Sequence, residues 1–219
     1  IIMGRINFLY EDGHIICCVK PIGILSQSDE KNEENMVSLL KGAGNPYIGL
    51  IHRLDRNVGG VMVFAKTQTA AAKLSEAVRN REIIKEYLAV IHNRPQEDSG
   101  VLKDLLFKDS AKNKTYVVSR MRKGVREASL EYEVLDSRES EAGVITLVKA
   151  RLHTGRTHQV RVQFASRKMP LVGDKKYGGR DNVTNPALWS YRLSFSHPVK
   201  NETVDVSCPP PDVFPWNEF

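Results

Sequence analysis

Short strand patterns recur along nearly the whole chain, and only a few helical patterns interrupt them. Alternating or fully apolar runs are typical of strands, whereas apolar residues at i, i+3 and i+4 are typical of helices. The strands do not alternate regularly with helices, which argues against a repeating βαβ order and favours an α+β fold. We predict one domain over residues 1–219, with a mixed, mostly antiparallel central sheet flanked by a few helices.

The element boundaries follow from these patterns. The predicted strands cover residues 6–10, 15–20, 61–66, 86–92, 101–107, 115–120, 127–136, 143–152, 189–195 and 202–207, and the predicted helices cover 35–41, 67–81 and 157–168. Asp12-Gly13 predicts a tight turn between the first two strands, and Pro170 ends the last helix.

Composition excludes several classes of protein. No apolar run approaches the roughly 20 residues that span a bilayer, and no leader pattern is present, so we expect a cytoplasmic protein without membrane contact. Three cysteines without framework spacing favour reduced thiols, and no Cys-x-x-Cys or His-x-x-x-His pair suggests a metal site. Gly59-Gly60 is not followed by the Lys-Ser/Thr of a phosphate loop, so we predict no cofactor.

Positive charge is concentrated in two segments. The net charge of the chain is +6, but residues 101–126 carry +6, residues 151–180 carry +7, and the remainder is negative. Such segregation is typical of a basic face that follows a phosphate backbone, although solvated basic loops would give the same composition. Residues 108–126 are our candidate for a mobile hairpin that grips a nucleic acid.

Two strings of residues could form a site. Residues 52–60 (HRLDRNVGG) set Asp55 between two arginines before an apolar strand, which is how a loop could present a carboxylate to a ligand. Residues 152–161 (LHTGRTHQVR) place Arg156 where a strand pattern gives way to a helix pattern, and a helix N-terminus attracts anions. Together the two strings suggest a site in which one buried carboxylate pairs with one arginine.

Both strings closely resemble the signature segments of the RluA-type RNA pseudouridine synthases. Further similarity lies at residues 9–23, at Lys85-Glu86-Tyr87 and at residues 173–178, so the resemblance covers essentially the whole chain. It implies a pseudouridine-synthase-like domain that isomerises uridine in structured RNA, ribosomal or transfer, by breaking the bond from uracil N1 to the ribose and rejoining the base through C5. Many relatives carry a small N-terminal RNA-binding domain, which we do not expect here. A monomer is the default for this architecture.

The resemblance also implies roles for individual residues. Asp55 matches the essential aspartate, Arg156 the arginine that pairs with it, and Tyr87 the tyrosine that contacts the target uracil. Arg53 matches the arginine that occupies the space left by the flipped uridine, since a stacking cation offsets part of the cost of flipping. The other expected RNA contacts are His52, Arg161, Arg120, Arg122 and Lys123.

One departure and two alternatives stay open. The family often has Thr-Ser-Gly where this chain has Val58-Gly59-Gly60, and the two lost hydroxyls leave the order of the Asp55 loop in question. The protein could be an RNA-binding or ribosome-assembly protein without chemistry on the same scaffold. It could also be a hydrolase of nucleosides or sugars, which would need a second carboxylate, for which only distant Asp174 is a candidate.

Overall fold

The strands and helices are seen in a computed structural model that describes residues 6–28, 33–141 and 143–219. The strands of this described part are β1 (Asn7–Glu11), β2 (Ile15–Lys20), β3 (Gly49–Leu50), β4 (Gly59–Ala65), β5 (Ile84–His92), β6 (Ser99–Asp109), β7 (Lys114–Val118), β8 (Val125–Ser140), β9 (Gly143–Leu152), β10 (Leu188–Ser196) and β11 (Thr203–Ser207). The helices are α1 (Met36–Gly42), α2 (Gln68–Arg79) and α3 (Gln159–Ala165), followed by a 3-10 turn at Trp216–Glu218.

Backbone contacts divide the chain into two units. Unit 1 comprises Ile1–Lys85 and Trp189–Pro210, and unit 2 comprises Glu86–Leu188 and Pro211–Phe219. Strands dominate both units and the helices are few, so the predicted α+β class is confirmed. The prediction of a single domain over residues 1–219 stays a prediction.

Unit 1 is built around β4, in which every residue is buried. β4 pairs antiparallel with β2 and β3 and parallel with β10, and β10 pairs antiparallel with β11. The mixture of parallel and antiparallel pairs confirms the predicted mixed sheet. Helix α2 begins after the Thr67 cap, whose side chain accepts a hydrogen bond from the Ala70 N–H, and its apolar stripe packs on the core of β2, β4 and β10.

Unit 2 is an antiparallel sheet in the order β5-β9-β8-β6-β7. Helix α3 packs against one face of β6, where Leu106, Ala128 and Val162 form a buried cluster. Within the described ranges, no helix has the length and apolar character needed to cross a membrane.

The predicted helix over residues 157–168 was wrong in extent. His158 and Lys168 adopt left-handed backbone conformations, with φ of 54° and 61°, so α3 covers only Gln159–Ala165. Arg156 therefore lies in an irregular segment three residues before the helix. The two-residue strand β3 and the 3-10 turn were not predicted, because neither is long enough to show a periodic pattern.

Candidate active site

The segment that carries Asp55 is fixed through its preceding residue. The Leu54 N–H donates to Ser26 Oγ at 3.1 Å, and Ser26 Oγ donates in turn to the Leu54 carbonyl at 3.0 Å. Both residues are buried. The Val58 N–H donates to the Asp55 carbonyl at 3.0 Å, which closes a turn after the aspartate. A hydroxyl from a distant segment thus holds the backbone beside the carboxylate.

Lys20 fixes the residue on the other side of Asp55. Its side chain is fully buried, and its ammonium donates to the carbonyls of Pro21, Ile24 and Arg56 at 2.9, 2.6 and 3.2 Å. Burial lowers the pKa of Lys20 to about 8, while the charge of Asp55 acts in the opposite direction. The ammonium is therefore both a hydrogen-bond anchor for the loop and a cation that acts on the carboxylate.

Close packing leaves no room for a side chain at Gly59 or Gly60. A Cβ on Gly59 would lie 2.4 Å from the ring of Trp189, and a Cβ on Gly60 would lie 2.2 Å from the Ser190 carbonyl oxygen. Gly60 also has a φ of 120°, which L side chains rarely adopt. The Trp189 indole is held by a 2.8 Å hydrogen bond from Nε1 to the Cys208 carbonyl. Packing against β10 therefore restricts this segment.

His52 and Arg53 differ in their environments. The Val63 N–H donates to His52 Nε2 at 3.3 Å, which leaves the ring proton on Nδ1. Burial lowers the pKa of His52 to about 3, with a smaller effect from the charge of Lys85, so the ring is neutral at physiological pH. His52 thus joins the loop to β4 and offers no charge to a phosphate, whereas the side chain of Arg53 is exposed.

Gln159 fixes the segment that carries Arg156 in unit 2. Its Oε1 accepts from the Arg156 N–H at 3.0 Å and from Thr154 Oγ1 at 2.7 Å, and its Nε2 donates to the Ser129 carbonyl at 3.1 Å. The Arg156 guanidinium itself donates from Nε to the Glu127 carbonyl at 2.9 Å. The side chain is exposed, and this hydrogen bond directs it along the start of β8.

Arg161 is buried and ion-paired. Its guanidinium contacts both oxygens of Asp174, at 2.7 and 2.9 Å, and lies 5.2 Å from the centroid of the Tyr177 ring. Both charged side chains are less than a tenth exposed. This geometry ties α3 to the loop that follows it, so we leave Arg161 out of the proposed RNA surface. This ion pair also involves Asp174, which was the candidate for the second carboxylate of a hydrolase.

The remaining predicted residues lie in unit 2. Tyr87 is buried on β5 opposite Ala150 of β9. Arg120, Arg122 and Lys123 are exposed on the link from β7 to β8, as a nucleic-acid contact requires.

The structure places the predicted catalytic residues in both units. Asp55 belongs to unit 1, and Tyr87 and Arg156 belong to unit 2, so the pairing of Asp55 with Arg156 stays a prediction. Sequence reasoning missed Lys20, Ser26 and Gln159, whose contacts join segments far apart in the chain. Across the described ranges, no three His, Cys, Asp or Glu residues are grouped so that they could hold a metal ion.

Solved structures first define the class of fold. The human RNA pseudouridylate synthase domain containing 1 has a TM-score of 0.80 at 21% identity, over 95% of this chain and 85% of that chain. The human RNA pseudouridylate synthase domain containing 4 has a TM-score of 0.74 at 23% identity, over 94% and 88%. The fold is that of pseudouridylate synthase domains.

Sequence comparisons then define the family. The family model described as RNA pseudouridylate synthase matches residues 14–166. An uncharacterized RNA pseudouridine synthase of Aquifex aeolicus is 33% identical over 95% of this chain and 71% of its own length. The ribosomal large subunit pseudouridine synthase D of Vibrio cholerae is 32% identical over 94% of this chain and 68% of its own length. The chain belongs to the RNA pseudouridylate synthase family, and it is an isomerase of uridine in RNA.

Proposed function

We propose that Asp55 is the catalytic carboxylate of this enzyme, that Arg156 pairs with it, and that Tyr87 contacts the target uracil. The observation that supports this most directly is the double anchoring of the Asp55 loop, by Ser26 at Leu54 and by buried Lys20 at Arg56. A carboxylate that must act on one atom of a flipped nucleotide has to be held in place before the substrate arrives.

The reaction needs only these groups and the substrate. The bond from uracil N1 to C1′ of the ribose breaks, the base turns, and C1′ bonds to C5. C5 then loses its proton and N1 gains one, so atoms and electrons balance without a co-reactant. A guanidinium at Asp55 would fix the direction of the carboxylate through bidentate hydrogen bonds. Tyr87 would hold the uracil and move a proton.

The substrate that we propose is structured RNA. The Vibrio cholerae relative is named for the large ribosomal subunit, which favours ribosomal RNA, and transfer RNA is the other candidate. Exposed Arg120, Arg122 and Lys123 would contact phosphates of the RNA without reading base sequence. Exposed Arg53 would occupy the space left by the flipped uridine. A monomeric enzyme in the cytoplasm stays a prediction.

Single-nucleotide mapping of pseudouridine would test the assignment. RNA from a strain that lacks the protein is compared after complementation with wild type, Asp55→Ala, Arg156→Lys or the exposed control Asp212→Ala. We expect a site that returns with wild type and the control, returns weakly with Arg156→Lys and stays absent with Asp55→Ala. Thermal melting of the purified variants would establish that each one folds.

Two outcomes would contradict the proposal. Full modification by folded Asp55→Ala would remove the aspartate from the chemistry. RNA that carries the same modifications with and without the protein would favour a binding role without catalysis.

A further inference from the structure

The hairpin of β6 and β7 has two different faces. Leu106 and Val117 are paired across the strands and pack with Val162 of α3. Phe107 and Tyr116 form the next pair, and because side chains alternate along a strand, they point to the opposite face. Tyr116 is 36% exposed. Two aromatic rings thus lie side by side on the face of the sheet that α3 does not cover.

A cationic side chain lies near each of these rings. Lys114 Nζ lies 5.7 Å from the centroid of the Tyr116 ring and 5.3 Å from the centroid of the Tyr177 ring. The Arg122 guanidinium lies 5.1 Å from the centroid of the Phe107 ring. The Arg122 carbonyl accepts from the Val125 N–H at 3.0 Å, which closes a turn and holds the arginine beside Phe107. Contacts of this kind are favourable at exposed sites, and Tyr116 keeps 36% of its surface exposed beside its cation.

Hydrogen bonds anchor the hairpin to the rest of unit 2. The Thr115 N–H donates to the Tyr177 hydroxyl at 2.8 Å, and Thr115 Oγ1 donates to the Thr157 carbonyl at 3.0 Å. Lys176 Nζ donates to the Asn113 carbonyl at 2.9 Å. These bonds hold the start of β7 against the segments on either side of α3 and so define where the two rings lie. The mobility of residues 108–126 stays a prediction.

We propose that Phe107 and Tyr116 form a stacking site for an unpaired base of the RNA substrate other than the target uridine. Lys114 and Arg122 would contact the phosphates beside that base. Aromatic rings on an open sheet face, surrounded by cations, are a common way to bind unpaired nucleotides without reading their sequence. Residues 101–126 carry +6, so the surroundings suit a polyanion, although Asp109 lies opposite Lys114. The proposal rests on an RNA substrate and not on the role of Asp55.

Binding to single-stranded and double-stranded RNA separates stacking from phosphate contact. The probes are labelled oligouridylate and the same strand annealed to oligoadenylate, titrated with the whole protein at several salt concentrations. We expect Tyr116→Ala to weaken oligouridylate binding by about fivefold or more, with little change in duplex binding and no change in the salt slope. Tyr116→Phe keeps the ring and should bind as wild type does. Leu135→Ala is the matched control, because Leu135 is an exposed apolar residue elsewhere in unit 2.

Three results would overturn the stacking site. Oligouridylate binding by folded Tyr116→Ala at the wild-type level would exclude it. An equal loss of single-strand and duplex binding would show that Tyr116 acts through the fold of the hairpin, and a wild-type protein that binds only the duplex would leave no role for stacking. The outcome is distinguishable from failure of the catalytic assignment, because these titrations measure binding and not the formation of pseudouridine.

Discussion

The buried Lys20 ammonium donates to the Arg56 carbonyl at 3.2 Å and so connects the end of β2 to the residue after Asp55. The same ammonium binds the carbonyls of Pro21 and Ile24, which belong to the turn that follows β2. The Lys20 side chain therefore joins the turn after β2 to the loop that carries Asp55. Because its charge also acts on Asp55, Lys20 should affect both the stability and the chemistry of the enzyme.

Replacing Lys20 with methionine should lower kcat more than it raises KM, because the Asp55 loop loses an anchor while the exposed RNA contacts remain. Steady-state assays with a modifiable transcript would measure both constants, and Ser119→Ala, an exposed change in unit 2, is the control. A variant in which only KM changes would show that Lys20 serves binding and does not position Asp55.

Wild type and Lys20→Met should also differ in how the free energy of unfolding depends on pH. Burial lowers the pKa of Lys20 from its ordinary value of 10.5 to about 8. Between these pH values the unfolded chain binds more protons than the folded one, so the contribution of Lys20 to stability rises with pH. Cys17 and Cys18, whose pKa values burial raises to about 12, act oppositely in both proteins and cancel. In urea unfolding, the free energy of unfolding of wild type should rise relative to that of Lys20→Met between these two pH values. A difference that does not change with pH would contradict the lowered pKa of Lys20.

Changing Gly59 to serine should destabilise the protein by about 1–3 kcal/mol, because the new Cβ meets the Trp189 ring. Combining it with Trp189→Leu should cost less than the sum of the two single changes, since a smaller residue makes room. Urea unfolding of wild type, the two single variants and the double variant gives the coupling free energy between positions 59 and 189. Gly42→Ser, where a Cβ would meet nothing within 4 Å, is the control. Strict additivity would mean that the loop moves away from Trp189 at little cost.

Local patterns predicted the strands well and the anchors of the site poorly. The predicted bounds of β2 and β9 agree with the structure, because their apolar residues are contiguous or alternate. Lys20 ends β2 and would normally be exposed, and its burial depends on carbonyls that chain reversals bring together. Gly59 and Gly60 were assigned to a loop, yet they lie in β4, because pairing with the distant β10 is a tertiary effect. Such long-range contacts leave no periodic signal in the sequence.

The buried pair of Arg161 and Asp174 should behave as a structural unit. Asp174→Leu alone should cost about 3–5 kcal/mol, since it leaves an uncompensated buried guanidinium. The double variant Arg161→Leu with Asp174→Leu should recover much of this loss. Removing Arg138 from its exposed pair with Asp136 should cost about 0–1 kcal/mol and serves as the comparison. Equal losses in the Asp174 single variant and the double variant would show that packing matters here more than charge.

Charge reversal at Arg120 and Arg122 should weaken RNA binding and flatten its dependence on salt. Each lost phosphate contact reduces the slope of log affinity against log salt by roughly 0.7–0.9. Titrations of a structured transcript would measure both quantities, with a change of exposed Arg79 on helix α2 to glutamate as the control. An unchanged affinity and slope would remove the link between β7 and β8 from the RNA surface.

Unit 1 is assembled from two stretches of chain, Ile1–Lys85 and Trp189–Pro210, with about a hundred residues between them. During synthesis, β4 and the Asp55 loop leave the ribosome long before β10, their parallel neighbour. Until then the buried strand has one edge without its final partner, a state in which nascent chains are prone to aggregate. The support of the proposed catalytic loop is therefore complete only after the second stretch, Trp189–Pro210, has been made.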